Sequence, residues 1–151
     1  MDLRTTYLLH LRPEFSKKLV HSNMSEDERF QNQTLRPILR VQNPILLETF
    51  RHYIHKHKDL YYKLNAEKQL KYIEKSIQKD TKLRNTLKGI VIGMFTEREY
   101  RFYLERSSAV NKRIMNLVVE RIKDQMQYFL MDEEPEKEME QEQEWKTASA
   151  C

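Results

Sequence analysis

Residues 80–104 read DTKLRNTLKGIVIGMFTEREYRFYL. The stretch decides the fold class, because it holds the chain's only β-branched run of three, Ile90-Val91-Ile92. Three residues set between two helical patterns make a poor strand. Asp80 instead opens a helix with Leu83, Leu87, Ile90, Val91 and Met94 along it. Gly93 suits the left-handed residue just past a helix end. Thr96-Glu97-Arg98-Glu99 then forms a capping box, in which the threonine oxygen accepts from the backbone three residues on and the glutamate reaches back. Phe95 and Tyr100 occupy the two positions of a hydrophobic staple. The following helix carries Tyr100, Phe102, Tyr103 and Leu104 and ends near Ser107-Ser108.

Working outward, the rest of the chain repeats this character. Only 2 Gly and 4 Pro occur in 151 residues, too few for the turns that a sheet protein needs. Leu3, Tyr7, Leu8 and Leu11 mark a short helix that Arg12-Pro13 ends. Residues 13–24 read as a connection with a helical turn through Phe15, Leu19 and Val20. Ser25-Glu26-Asp27-Glu28 is a second capping box. From Phe30 to Ile54 the apolar spacing is helical across Pro37 and Pro44, which favours one kinked helix to about His57 over a break capped by Asn43. Asn65 caps a helix with Ala66, Leu70, Ile73 and Ile77 on one face, and a last helix of about six turns runs from Val110 to Leu130.

The expected fold is therefore all-α: a compact bundle of five to six helices over residues 1–131, followed by an acidic tail, 132–151. Its core is expected from Leu35, Ile38, Ile45, Phe50, Ile54, Leu70, Ile73, Ile77, Leu83, Leu87, Ile90, Tyr100, Ile114, Leu117, Val118 and Ile122. Burying such a side chain stabilises by ~1.5–3 kcal/mol before entropy is subtracted, so a charge at Ile73 or Leu117 is expected to unfold the domain.

Charge is divided along the chain. Of 27 Lys+Arg and 23 Asp+Glu, residues 132–151 hold two and eight, leaving 25 and 15 in residues 1–131. A body near +10 thus carries a tail near −6. The body attracts anionic partners, and the tail is expected to be disordered apart from fraying helix and to screen the same surface. The one cysteine, Cys151, allows no disulfide within the chain. No signal peptide and no apolar run of the ~20 residues that a membrane span requires is found, so a cytoplasmic protein without membrane partners is expected.

The candidate binding residues are basic. Lys68, Lys71, Lys75, Lys79 and Lys82 step by three and four, a stripe if the helix is continuous, and Arg98, Arg101 and Arg113 follow. Such a stripe tracks phosphates or carboxylates, or is simply a solvated face helped by Glu67–Lys71. Tyr61, Tyr62 and Tyr72 flank it and offer rings for base stacking or for the edge of the core. Residues 83–106 suggest helix-turn-helix, but Glu97 and Glu99 at the start of the second helix would repel a phosphate backbone. His52 and His55 are weak metal candidates on one helix face, without a second ligand pair. Gly89 marks a place where another helix or side chain approaches, and Gly93 is more simply a cap. No nucleophile elbow, phosphate-binding glycine loop or paired zinc motif is present.

Phe30-Gln31-Asn32, Leu35-Arg36-Pro37-Ile38-Leu39, the run Leu87 to Thr96 and Asn111-Lys112-Arg113 together resemble a family of short, uncharacterised all-helical bacterial proteins, some of which bear the label glyoxalase. The resemblance spans roughly residues 1–130 and implies an all-helical domain. Glyoxalase I enzymes are built from βαβββ modules with metal ligands on strands. No such pattern stands here, so the resemblance assigns no catalytic residue to any position. The leading expectation is a non-enzymatic interaction module that binds a protein or ribonucleoprotein through a basic face. Non-specific RNA or DNA binding comes second and an enzyme third; no cofactor is expected.

Overall fold

The computed structural model describes residues 2–13, 22–131 and 143–149. Short polar side chains start the helices by accepting from backbone N–H groups that have no partner inside the helix. The Asp2 carboxylate takes the Thr5 N–H at the head of α1 (Leu3–Leu11), and the Ser25 hydroxyl takes the Glu28 N–H at the head of α2 (Glu26–Phe30). Helix α3 follows (Arg36–Lys56). Asn65 starts α4 (Ala66–Lys79), Asp80 starts α5 (Thr81–Ile92) and Thr96 starts α6 (Glu97–Glu105), the last with a complete reciprocal capping box. Helix α7 covers Ser107–Lys123.

These seven α-helices, one more than the upper expectation, leave no strand among the described residues. Helices α2 and α3 are continuous through residues 31–35, a π turn in which the Arg36 N–H donates to the Gln31 carbonyl five residues back. The helical path also passes Pro44 without a break, as the kinked-helix reading requires. Two shorter 3-10 segments, Leu60–Lys63 and Met126–Met131, complete the domain. The last helix is thus shorter than expected: it stops at Lys123, and Phe129 reaches the core from the 3-10 segment.

Helices α3, α4, α5 and α7 pack around one core; α3 and α4 each contact both α5 and α7, and α6 leans on α7. Leu35, Ile38, Phe50, Ile54, Ile73, Ile77, Leu87, Ile114, Val118 and Ile122 are buried as expected, with Leu83 and Leu117 nearly so. Three expected core residues are not: Ile45 is 52%, Leu70 37% and Tyr100 43% exposed. Ile45 and Leu70 lie on the margin of a helical face whose centre is taken by a neighbour, Leu46 and Ile73 respectively, and Tyr100 belongs to α6, which buries no residue. Ile90 is half-buried against the core. Tyr61 and Phe95 take fully buried places that the sequence reading did not give them.

Gly93 also departs from expectation. Its φ of −59° and ψ of −16° are right-handed, and no glycine has a positive φ. The carbonyls of Gly89, Val91 and Ile92 accept from the backbone N–H groups of Gly93, Met94 and Phe95, and arginines meet the next three carbonyls: Arg4 Nη1 donates to Phe95 O at 2.8 Å, Arg4 Nη2 to Gly93 O at 3.2 Å and Arg12 Nη2 to Met94 O at 3.2 Å. The guanidinium groups of Arg4 in α1 and of Arg12 just past its end thus place positive charge at the negative end of α5. Gly89 has no atom within 4 Å of the position a Cβ would take, so no close approach explains it. The left-handed residues are Lys58 and Asp59, where the turn after α3 closes with Asp59 N–H donating to Ile54 O.

The connection over residues 13–24 and the acidic tail fall mostly outside the described residues. Residues 143–149 are helical, and Trp145 is exposed. No helix among the described residues is long and apolar enough to cross a membrane.

Candidate functional site

The lysine stripe is interrupted. Asp80, in extended conformation, both ends α4 and caps α5, so Lys82 belongs to a different helix from Lys68, Lys71, Lys75 and Lys79. The four lysines of α4 are exposed, and the helix buries Ile73 and Ile77. Helical geometry sets Lys68, Lys75 and Lys79 on the side away from those two isoleucines. Lys71 lies 3.7 Å from Glu67, while Glu74 is taken by Lys123 of α7 at 2.9 Å. Lys68, Lys75, Lys79 and Lys82 form no ion pair among the described residues.

The arginine limb is largely engaged. Arg101 pairs with Glu97 at 2.8 Å, and Arg113, half-buried, donates to the Gln31 side chain at 3.0 Å. Arg106 holds Glu26 at 2.6 Å and Asp27 at 3.0 Å, joining α6 to α2. Arg98 stays exposed on the rim of a cleft.

That cleft, about 590 Å³, lies where α1, α2, the π turn and α6 meet, with Phe30, Thr34, Thr96 and Glu99 on its walls. Glu99 is its chemical centre. Its carboxylate receives both guanidinium arms of Arg12 at 2.6 and 2.7 Å, the Thr34 hydroxyl at 2.8 Å and the Thr96 N–H at 2.9 Å. Burial alone would raise its pKa. The bonds from Arg12, the Thr96 N–H and Thr34, with the Arg12 charge, outweigh burial and hold the group below its ordinary value. Glu99 is thus taken up inside the domain, whereas Glu97 and Arg98 beside it in the first turn of α6 are exposed.

Tyr61, Tyr62 and Tyr72 are not a stacking platform either. Tyr61 is fully buried, its phenol pushed up to about 12 by desolvation, and it packs edge-on against Tyr72 and Phe129. The Tyr62 hydroxyl donates to the Phe129 carbonyl at 2.8 Å. The histidine pair is separated in role: His55 Nδ1 lies 2.6 Å from the Asp59 carboxylate, fastening the left-handed turn. No group of three His, Cys, Asp or Glu side chains able to hold a metal ion is formed among the described residues.

A second cleft, about 280 Å³, opens between α3 and α7, lined by Arg36, Leu39, Leu117, Glu120, Arg121 and their neighbours. Sequence reasoning missed it. Arg36 and Arg40 stand four apart on one helix, a like-charge pair visible in the sequence, but Arg121 comes from a helix over eighty residues away.

No family model matches the chain, and neither a curated protein nor a solved structure is detectably similar to it.

Proposed function

We propose that the domain is a non-enzymatic interaction module that docks through the outer face of α4 on an acidic surface of a protein or ribonucleoprotein. The observation that carries this reading is the exposed row Lys68, Lys75 and Lys79, without ion pairs among the described residues, on the side of a helix opposite its buried isoleucines. A helix fixes the spacing of these charges, and distributed ammonium groups steer an anionic partner before any close contact forms. Lys82, in the first turn of α5 beyond the Asp80 break, is exposed and also forms no ion pair among the described residues. Direct RNA or DNA binding rests on the same lysines but lacks the aromatic stacking that holds single strands. Docking on an acidic protein surface therefore comes first.

The test is fluorescence anisotropy of a labelled poly-glutamate peptide and a labelled single-stranded RNA against the full chain, at ~50 and ~200 mM salt. The peptide is expected to bind at the lower salt, to weaken at the higher, and to be largely lost from a Lys68→Gln/Lys75→Gln/Lys79→Gln variant. RNA bound far more tightly than the peptide would promote the nucleic-acid reading. Equal binding by wild type and variant would overturn the assignment to α4.

A further inference from the structure

We infer that the cleft between α3 and α7 is a binding site for a small organic phosphate, held by Arg36 and Arg121 with Arg40 alongside. Three observations converge on it. The cleft is concave and of about 280 Å³, with Leu39 and Leu117 supplying apolar wall beside the cations. Both lining arginines are fixed at one point and free at the rest. Arg36 Nε donates to Asn32 Oδ1 at 3.1 Å, and its terminal nitrogens have no protein acceptor among the described residues. Arg121 makes a single long bond, Nη1 to Asn43 Oδ1 at 3.5 Å. The Asn43 and Gln125 amides bond each other in both directions at 2.8 and 2.7 Å, and Gln125 also donates to the Arg121 carbonyl at 3.0 Å. This network positions Arg121 without neutralising it.

The third observation is the crowding of like charge. Burial, then Arg40, then Arg36 pull the Arg121 guanidinium below its ordinary pKa, against the opposing influence of Asp124 and Glu120. None of the three arginines forms an ion pair among the described residues. Guanidinium groups gathered this way are mutually unfavourable until an anion sits between them, and their planar forks match phosphate oxygens two at a time. Glu120 and Asp124 on the same lining offset part of the charge, so the paired forks of Arg36 and Arg121, rather than net charge alone, select a phosphate. The π turn contributes directly: Asn32, which orients Arg36, lies within it, and such turns are frequent at functional sites.

The experiment titrates the full chain into phenyl phosphate and follows its phosphorus resonance, with inorganic phosphate, succinate and chloride as competitors at matched ionic strength. Phenyl phosphate is expected to bind, inorganic phosphate to compete more weakly for want of the Leu39–Leu117 contact, and chloride not to compete. Arg121→Gln and Arg36→Gln are each expected to weaken binding by roughly tenfold, the effect of one charge-assisted contact. The Lys68→Gln/Lys75→Gln/Lys79→Gln variant is expected to bind phenyl phosphate as wild type does, which separates this site from the α4 face. Undiminished binding by Arg121→Gln, or equal loss in the lysine variant, would overturn the site. Tighter binding of succinate than of phenyl phosphate would overturn the ligand class. If one arginine variant fails to fold, the other still tests the site, and the competition series on the wild-type chain still tests the ligand class.

Discussion

Glu99 caps its own helix and at the same time ties α1 and the π turn to α6, through Arg12 and Thr34. Its side chain is 16% exposed and that of Arg12 8%, so neither charge has much water to fall back on. Removing one member of such a pair strands the other, and Glu99→Gln is expected to cost about 3–5 kcal/mol, read from urea denaturation at neutral pH. The pH dependence has a definite sign. The folded pKa of Glu99 is lowered, so its contribution is complete above the ordinary carboxylate range and is lost as pH falls through the folded value. Wild type should begin to lose its advantage over Glu99→Gln as pH falls below the ordinary carboxylate range, and a gap that stays constant through acid pH would contradict this. The cap itself was legible from Thr96 and Glu99 three residues apart. Arg12, 87 residues away, was not, because no local pattern announces a tertiary ion pair. Gly93 was misread because the backbone N–H groups of residues 93–95 close the α5 end in right-handed conformation, while the left-handed turn falls on Lys58 and Asp59.

Among elements, α1 and α6 bury no residue, but α6 leans on α7, whereas Leu3, Tyr7 and Leu11 of α1 remain exposed. Among the described residues, the side-chain bonds that reach from α1 to the rest of the domain come from Arg4 and, just past its end, Arg12. With little apolar area holding it, α1 should open locally far more easily than the bundle. Amide hydrogen exchange is expected to show residues 5–11 exchanging well before α3 and α7, and protection equal to theirs would refute a helix held by arginines alone. The sequence placed this helix correctly from the spacing of Leu3, Tyr7 and Leu11, yet those residues do not face the core. Periodicity identifies a helix and its apolar side, but not whether a partner covers that side. The staple shows the same limit: Phe95 is buried with Phe30 and Tyr103 as ring neighbours, while Tyr100 stays exposed.

For the whole molecule, the strand-free class followed from the scarcity of glycine and proline together with unbroken helical spacing. The depth of each core position did not. Leu117 shows the difference, because it lines the α3–α7 cleft and keeps 7% exposure, whereas Ile73 keeps none. Ile73→Asp is therefore the more damaging charge, expected to abolish cooperative thermal unfolding; a melting curve within a few degrees of wild type would count against the core described. The candidate surface was legible where charge repeats along one helix, at Lys68, Lys75 and Lys79. It was illegible where helices meet: Arg113 is spent on Gln31, and Arg121 joins Arg36 only through folding. The central functional claim is that the outer face of α4 meets the partner. Amide chemical-shift mapping of the full chain during titration with poly-glutamate tests it most directly. Perturbations confined to residues 66–79 and the first turn of α5 are the predicted result. Perturbations centred elsewhere, or none at low salt, would contradict it.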